Sequence, residues 1–203
     1  MLINPRRLAG LLDNAVACAK QGNKPYPYVL LLAEAGGFTS CGIGQHIMCE
    51  DTEPVAETTP VGAGMALHYT EAEQVAKAVR GVPGAGRKDA QVDVAVTDES
   101  ITIMDGPNII AEVADIGDEA GGAWELRLDA QNLYDSPVEP SGRFTVYDTS
   151  ILAVLGKLKP ANSDTRILLT PCHAGDTTMF RMGSLRGFLE GNRTPPGELG
   201  GLI

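Results

Sequence analysis

The feature that most narrows the possible folds of this chain is a pattern used three times. Each copy has a short β-prone run, a helix-capping residue, an amphipathic helix, and then three β-prone runs parted by turns. In the first copy LIN meets Asn4, Pro5 takes the first helical position, and RRLAGLLDNAVACAK continues the helix. In the second, residues 66–69 (ALHY) meet Thr70 and run into TEAEQVAKAVRG. In the third, residues 143–147 (RFTVY) meet Asp148 and run into DTSILAVLGKLK. The expected caps Asn4, Thr70 and Asp148 stand 66 and 78 residues apart. Each helix has one apolar stripe at helical spacing, built on Leu8, Leu11, Leu12 and Ala15, on Ala72, Val75, Ala76 and Val79, and on Ile151, Leu152, Leu155 and Leu158.

The segments after the three helices are equally alike. YVLLLAEA, FTSCGIG and HIMCEDTE come after the first; QVDVAVTD, SITIMDG and NIIAEVADI after the second; RILLT, TTMFRMG and SLRGFLEG after the third. Turn pairs such as Gly36-Gly37, Asp98-Glu99 and Asp105-Gly106 part them. The fold class is therefore α+β, repeats of strand–helix–three strands with helices on one face of antiparallel sheets. Residues 1–116 form a first domain of two repeats, and residues 143–194 form a third repeat. Between them, residues 117–142 read as a linker or degenerate repeat with one plausible strand, Trp124 to Leu128, and residues 195–203 as a flexible tail. Trp124 is an isolated anchor for an interface or the linker.

Charge separates the layers of this repeat. The chain carries a formal net charge of −10, which argues against a nucleic-acid partner on average but not locally. Of its 16 Lys and Arg, 10 sit on the three helices or just past their ends: Arg6, Arg7, Lys20, Lys24, Lys77, Arg80, Arg87, Lys88, Lys157 and Lys159. Over the same stretches the acids are Asp13, Glu71 and Glu73, and the other 23 of 26 lie elsewhere. The helix macrodipole accounts for cations near C-termini such as Lys20, Lys77, Arg80 and Lys157. It does not account for Arg6 and Arg7 at a helix start, nor for the missing acids. A basic helical layer facing a polyanion accounts for both.

No catalytic residue, metal site or cofactor emerges. GVPGAGRK (81–88) misses the P-loop pattern, with Arg87 where Lys belongs and Lys88 where the hydroxyl belongs, and it comes after a helix rather than a strand. A helix-ending glycine turn fits it better. Cys41, His46 and Cys49, even with Cys172 and His173, match no common zinc spacing, and the four cysteines are read as reduced buried thiols. Nucleophilic catalysis by Cys172 or Cys18 needs a base within reach in space, which sequence does not show, and His68 alternates with apolar residues as a strand residue does. No apolar run approaches the roughly 20 residues of a membrane span, and no signal peptide is visible, so a cytoplasmic setting is expected, nucleoid-associated or at a viral replication site.

The repeat and its basic helices resemble the DNA sliding clamps, the bacterial DNA polymerase III beta subunit and its archaeal, eukaryotic and phage counterparts. The residues that carry the likeness are INPRRLAGLLDNAVACAK with YPYVLLLAEAGGFTSCGIGQHIMCED, HYTEAEQVAKAVRG with QVDVAVTDESITIMDGPNIIAEVADI, and FTVYDTSILAVLGKLKP with TRILLT. The resemblance implies a non-enzymatic processivity factor: a homo-oligomeric ring around double-stranded DNA, helices inside and sheets outside, without sequence specificity. It also implies a replicative polymerase and a clamp loader as partners, no membrane, and the ten basic residues above as the DNA-facing set. Clamp subunits carry four or six such units, twelve closing a ring; three units make twelve only in four copies. No partner groove maps onto FLEGNRTPPGELGGLI, and a clamp-fold interaction scaffold with no DNA role remains the alternative, ahead of a small enzyme.

Overall fold

The computed structural model of the protein describes residues 1–21, 27–55, 62–134, 144–147, 149–160, 166–171 and 177–194. The first unit comprises β1 (Leu2–Ile3), α1 (Pro5–Ala19), β2 (Tyr28–Glu34), β3 (Gly37–Ile43) and β4 (Ile47–Glu53). The second comprises β5 (Gly64–His68), α2 (Tyr69–Arg80), β6 (Val92–Val96), β7 (Ser100–Asp105) and β8 (Asn108–Ala114). After α3 (Gly121–Tyr134) comes the third: β9 (Phe144–Val146), α4 (Thr149–Leu155), β10 (Leu168–Pro171), β11 (Thr177–Met182), β12 (Leu185–Glu190) and β13 (Asn192–Thr194).

Helix α1 begins where its sequence dictates. Asn4 Oδ1 accepts the N–H groups of Arg6 (3.0 Å) and Arg7 (3.3 Å), satisfying two otherwise orphaned donors, and Pro5 has no N–H to satisfy. Helix α2 starts earlier than expected, and its cap is His68 rather than Thr70. The His68 Nδ1 accepts the Thr70 N–H at 3.3 Å, and Glu71 Oε2 accepts the His68 N–H in return. The third expected cap, Asp148, lies outside the described residues. Helix α4 stops at Leu155, so Lys157 and Lys159 lie in the chain beyond it.

Two units complete one another by exchanging their first strands. β5, from the second unit, pairs antiparallel with β2 of the first, Leu30 facing Ala66. β1, from the first unit, pairs with β6 of the second, Ile3 facing Val92. The helices α1 and α2 pack together across the same join, and Leu8, Leu11, Leu12, Val75, Ala76, Val94 and Ile101 form one core beneath them. Each such fully buried Leu or Val contributes about 1.5–3 kcal/mol. The third unit joins edge to edge: β12 pairs with β4, giving a seven-stranded sheet ordered β10-β11-β12-β4-β3-β2-β5.

One expectation fails outright. The residues from Trp124 to Leu128, expected as a strand, belong to α3, preceded by a 3-10 turn at Gly117–Ala120. Helix α3 covers the sheet face opposite α1, where Ala123, Trp124 and Ala130 pack on Leu30, Leu32, Cys41, Ile43, Met48 and Phe188. Strand β2 is thus buried on both faces, Val29 and Leu31 toward α1 and Leu30 and Leu32 toward α3. The unbroken apolar run YVLLLA reflects that double burial. Strand β6, whose Asp93 is exposed between buried Val92 and Val94, alternates as a one-sided strand does.

Helix and sheet approach closely at Gly42 of β3. A Cβ there would stand 2.0 Å from the Ala15 carbonyl oxygen of α1. Both atoms are fixed to the backbone, so neither can turn aside. Gly42→Ala is expected to cost about 1–3 kcal/mol or more by forcing α1 off the sheet, measured as a lowered urea midpoint. An unchanged midpoint would show that α1 rides more loosely than this packing requires.

Candidate nucleic-acid interface

The helical layer gathers the basic residues, but the fold divides them into two kinds. Arg6, Lys77, Lys157 and Lys159 are exposed and have no ion-pair partner among the described residues. Arg87 and Lys88 are exposed in the loop after α2, which Asn4 holds down: its Nδ2 donates to the carbonyls of Arg87 (3.1 Å) and Ala90 (3.0 Å). One asparagine therefore both starts α1 and fixes that basic loop beside it. Gly81 ends α2 at φ −74°, and the loop turns at Gly84, whose φ is +76°.

The acids of this layer are already engaged. Lys20 Nζ meets Glu73 Oε1 at 2.7 Å and Arg80 pairs with Asp13, both pairs being well exposed. Such surface pairs contribute at most about 1 kcal/mol and open readily for a stronger anion. An open groove of ≈ 680 Å³ runs across this face, and Arg6 of α1, Arg80 of α2 and Lys159 beyond α4 all line it, with Gly10 and Gly86 leaving its floor bare. Basic residues from all three units therefore converge on one concavity. Lys24 lies outside the described residues.

Arg7 corrects the sequence reading. Its guanidinium grips Asp51 of β4 with two hydrogen bonds (2.9 and 2.7 Å), gives its Nε to Glu53 at 2.7 Å and also reaches Ser184 Oγ. Asp51 is fully buried and also accepts from Asn14 Nδ2 (2.9 Å) and Ser184 Oγ (2.8 Å). Burial works against the charged form of Arg7, yet Asp51 and Glu53 outweigh it and its pKa stands above the usual value. Arg7 is a fastener between α1 and the sheet, its fork turned inward and away from any phosphate. Asn14 extends the fastener, exchanging hydrogen bonds with the backbone N–H (2.8 Å) and carbonyl (3.0 Å) of Lys159.

The opposite face of the same seam holds a second cluster that the sequence did not reveal. Arg127 of α3 donates to Glu34 at 2.8 Å and sets its Nε 2.7 Å from Glu50, an ion pair whose angles are not those of a hydrogen bond. Arg186 of β12, directly opposite Glu50 in register, pairs with it at 3.0 Å and lies over the Tyr134 ring at 3.9 Å. Burial, then the charge of Glu50, pushes the Tyr134 phenol far up, so it stays neutral. Beside this cluster an apolar cleft of ≈ 290 Å³ opens between α3 and the sheet, walled by Ile43, Met48, Leu126, Leu133 and Phe188. His46 and Glu190, 3.1 Å apart, stand at its rim.

Cys41 and Cys49, weighed as metal ligands, face opposite sides of the sheet: Cys41 is buried under α3 and Cys49 under α1 and α4. Neither can share an ion with the other. Burial raises the Cys41 thiol; a hydrogen bond with Cys18, then burial, raises Cys49. Cys172 and His173 lie outside the described residues.

No protein-family model matches the sequence, and no curated protein sequence is similar to it. Solved structures do match, and they are DNA polymerase sliding clamps. The Bacillus subtilis clamp superposes with a TM-score of 0.61 at 14% identity, covering 100% of this chain and 67% of its own. The beta-subunit clamp of Bartonella birtlesii gives 0.64 at 11% identity, with 100% and 67% covered. The DNA polymerase III beta subunit of Thermotoga maritima gives 0.61 at 11% identity, with 100% and 66% covered. The chain thus has the sliding-clamp fold and spans about two-thirds of the length of these clamps. Among the described residues no helix is long and apolar enough to cross a membrane.

Proposed function

We propose that the protein is a DNA sliding clamp, a non-enzymatic processivity factor whose copies close into a ring with the helical layer facing duplex DNA. The observation that carries this reading is the groove on that layer, into which Arg6, Arg80 and Lys159 converge from three separate units. Lys and Arg there neutralise phosphates without touching base edges, so binding is blind to sequence and falls steeply with salt. The DNA-facing set is Arg6, Lys77, Arg87, Lys88, Lys157 and Lys159, with Lys20 and Arg80 joining when their exposed ion pairs open. Lys24 belongs to it on its sequence position. A polymerase held by such a ring stays near its template because tethering replaces repeated encounter. The apolar cleft beside α3 suits the apolar side chains of such a tethered partner, be it polymerase or clamp loader.

Threading tests this directly. Protein is incubated with a duplex immobilised at one end, the free end is then blocked, and the complex is washed in rising salt. Retention is expected on blocked DNA and loss from open-ended DNA. Arg6→Ala, Lys77→Ala, Lys157→Ala and Lys159→Ala together are expected to flatten the salt dependence of initial binding by about 0.9 log unit for each phosphate no longer neutralised. Retention indifferent to the blocked end and to these four changes would favour an interaction scaffold of the same fold. Arg7 is left intact in this test because it holds α1 to the sheet.

A further inference from the structure

The same side chains are buried in the first unit and bare in the third. RILLTP, which spans β10 and the two residues before it, matches YVLLLA of β2. Yet Val29, Leu30 and Leu31 are 0% exposed, while Ile167, Leu168 and Leu169 are 40%, 63% and 44% exposed. The LA pair of α4 matches that of α1, yet Leu8 is 0% exposed and Leu152 43%. The cause is visible in the topology. β2 is covered at its edge by β5, and α1 by α2, both from the partner unit. No described strand lies on the outer edge of β10. Among the described strands β9 pairs with β13, in a two-stranded ladder apart from the larger sheets. A ladder of two strands is marginal alone, and an apolar open edge invites a strand.

We propose that the third unit pairs with the third unit of a second copy of this chain, β9 of each copy lying antiparallel on β10 of the other and α4 packing on α4. The occupant must bring both an open first strand and a helix with an exposed apolar spot, which on α4 is Leu152 and Ala153 beside buried Ile151, Val154 and Leu155. Among the described residues the third unit itself offers both, so a two-fold axis satisfies the two deficits at once. The chain's own exchange supplies the geometry. His68, Leu67 and Ala66 of β5 face Tyr28, Val29 and Leu30 of β2. The matching positions put Val146, Thr145 and Phe144 opposite Arg166, Ile167 and Leu168 of the other copy. This goes beyond the clamp reading, which requires copies to meet but not through this unit.

Two proteins carrying Thr145→Cys and Ile167→Cys, each with Cys172→Ser, test the register when mixed and oxidised. A disulfide-linked pair is expected from the mixture and from neither protein alone. Light scattering of the unaltered 203-residue chain is expected to give twice its 21.4 kDa, or an even multiple. Leu168→Asp, at an exposed position that leaves the fold untouched, is expected to halve that mass. A single-chain mass at every concentration, an oligomer indifferent to Leu168→Asp, or a disulfide forming within one doubly substituted chain at high dilution would each overturn the pairing. The last would mean that a strand of the same chain covers β10. Paired chains that fail the threading test would overturn the clamp reading alone, and threading by chains that do not pair through β10 would overturn the pairing alone.

Discussion

Arg7→Ala is expected to destabilise the protein by about 3–5 kcal/mol, while Arg6→Ala, one residue away, changes stability by no more than about 0.5 kcal/mol. The two side chains leave the same helical turn in different directions. Arg6 enters solvent; Arg7 closes on Asp51 and Glu53 with its side chain 12% exposed. Deleting Arg7 leaves Asp51, wholly buried, with only Asn14 and Ser184 to balance its charge. The cost is that of a stranded buried carboxylate, larger than the gain from forming the pair. Against a total stability of about 5–15 kcal/mol, that is a large share. Arg7→Lys keeps the charge but loses the two-pronged grip, and is expected to fall between. Urea unfolding of the three variants decides the matter. Equal effects at positions 6 and 7 would mean that the ion pair is not formed in solution.

Glu50→Ala carries the second large effect, also about 3–5 kcal/mol, because it strips the buried Arg127 of one of its two carboxylates. Arg186 is about half exposed and can turn to water; Arg127, at 6%, cannot. Burial disfavours the charge on Arg127, and in the intact protein Glu50 and Glu34 outweigh it and hold the pKa above the usual value; with Glu50 gone, a guanidinium still cannot relieve the strain by losing its proton. The loss is expected to appear first in α3, as faster amide exchange over residues 121–134 than over α1. Replacing both partners, Glu50→Met with Arg127→Met, is expected to recover most of the stability, since no buried charge then remains unpaired. If the double change were as damaging as the single one, the cluster would be holding α3 by something other than charge.

These two clusters lie on opposite faces of the β4–β12 seam and have the same consequence for the fold. Arg7 and Asn14 tie α1, β4 and the chain beyond α4 together; Arg127 and Arg186 tie α3, β4 and β12. The third unit is thereby fixed rigidly to the first two rather than hung on a flexible linker. That rigidity holds Lys159 beside Arg6 and Arg80 in the basic groove.

The amino-acid sequence by itself determined the three units, the order of their strands, the Asn4 cap and the segregation of basic residues to the helices. Those arise from local rules: period, cap chemistry and turn residues act within a few positions of one another. It did not determine the strand exchange between units, the helical state of Trp124 to Leu128, or what the inward-facing Arg7 would meet. Helix α3 has alternating and helical patterns mixed together, and only the apolar floor made by β2, β3 and β12 decides in favour of the helix. The sole local trace of that floor was YVLLLA, too apolar for a strand with one wet face. Arg7 stands one turn before Leu11 and two before Asn14, on the buried stripe of α1, and Arg6 on the face of Gly10 and Asp13, so the helical period separates them, but nothing within α1 names the partner that Arg7 meets. That partner is Asp51, 44 residues further on, whose burial requires a cation and whose place on β4 brings it to Arg7.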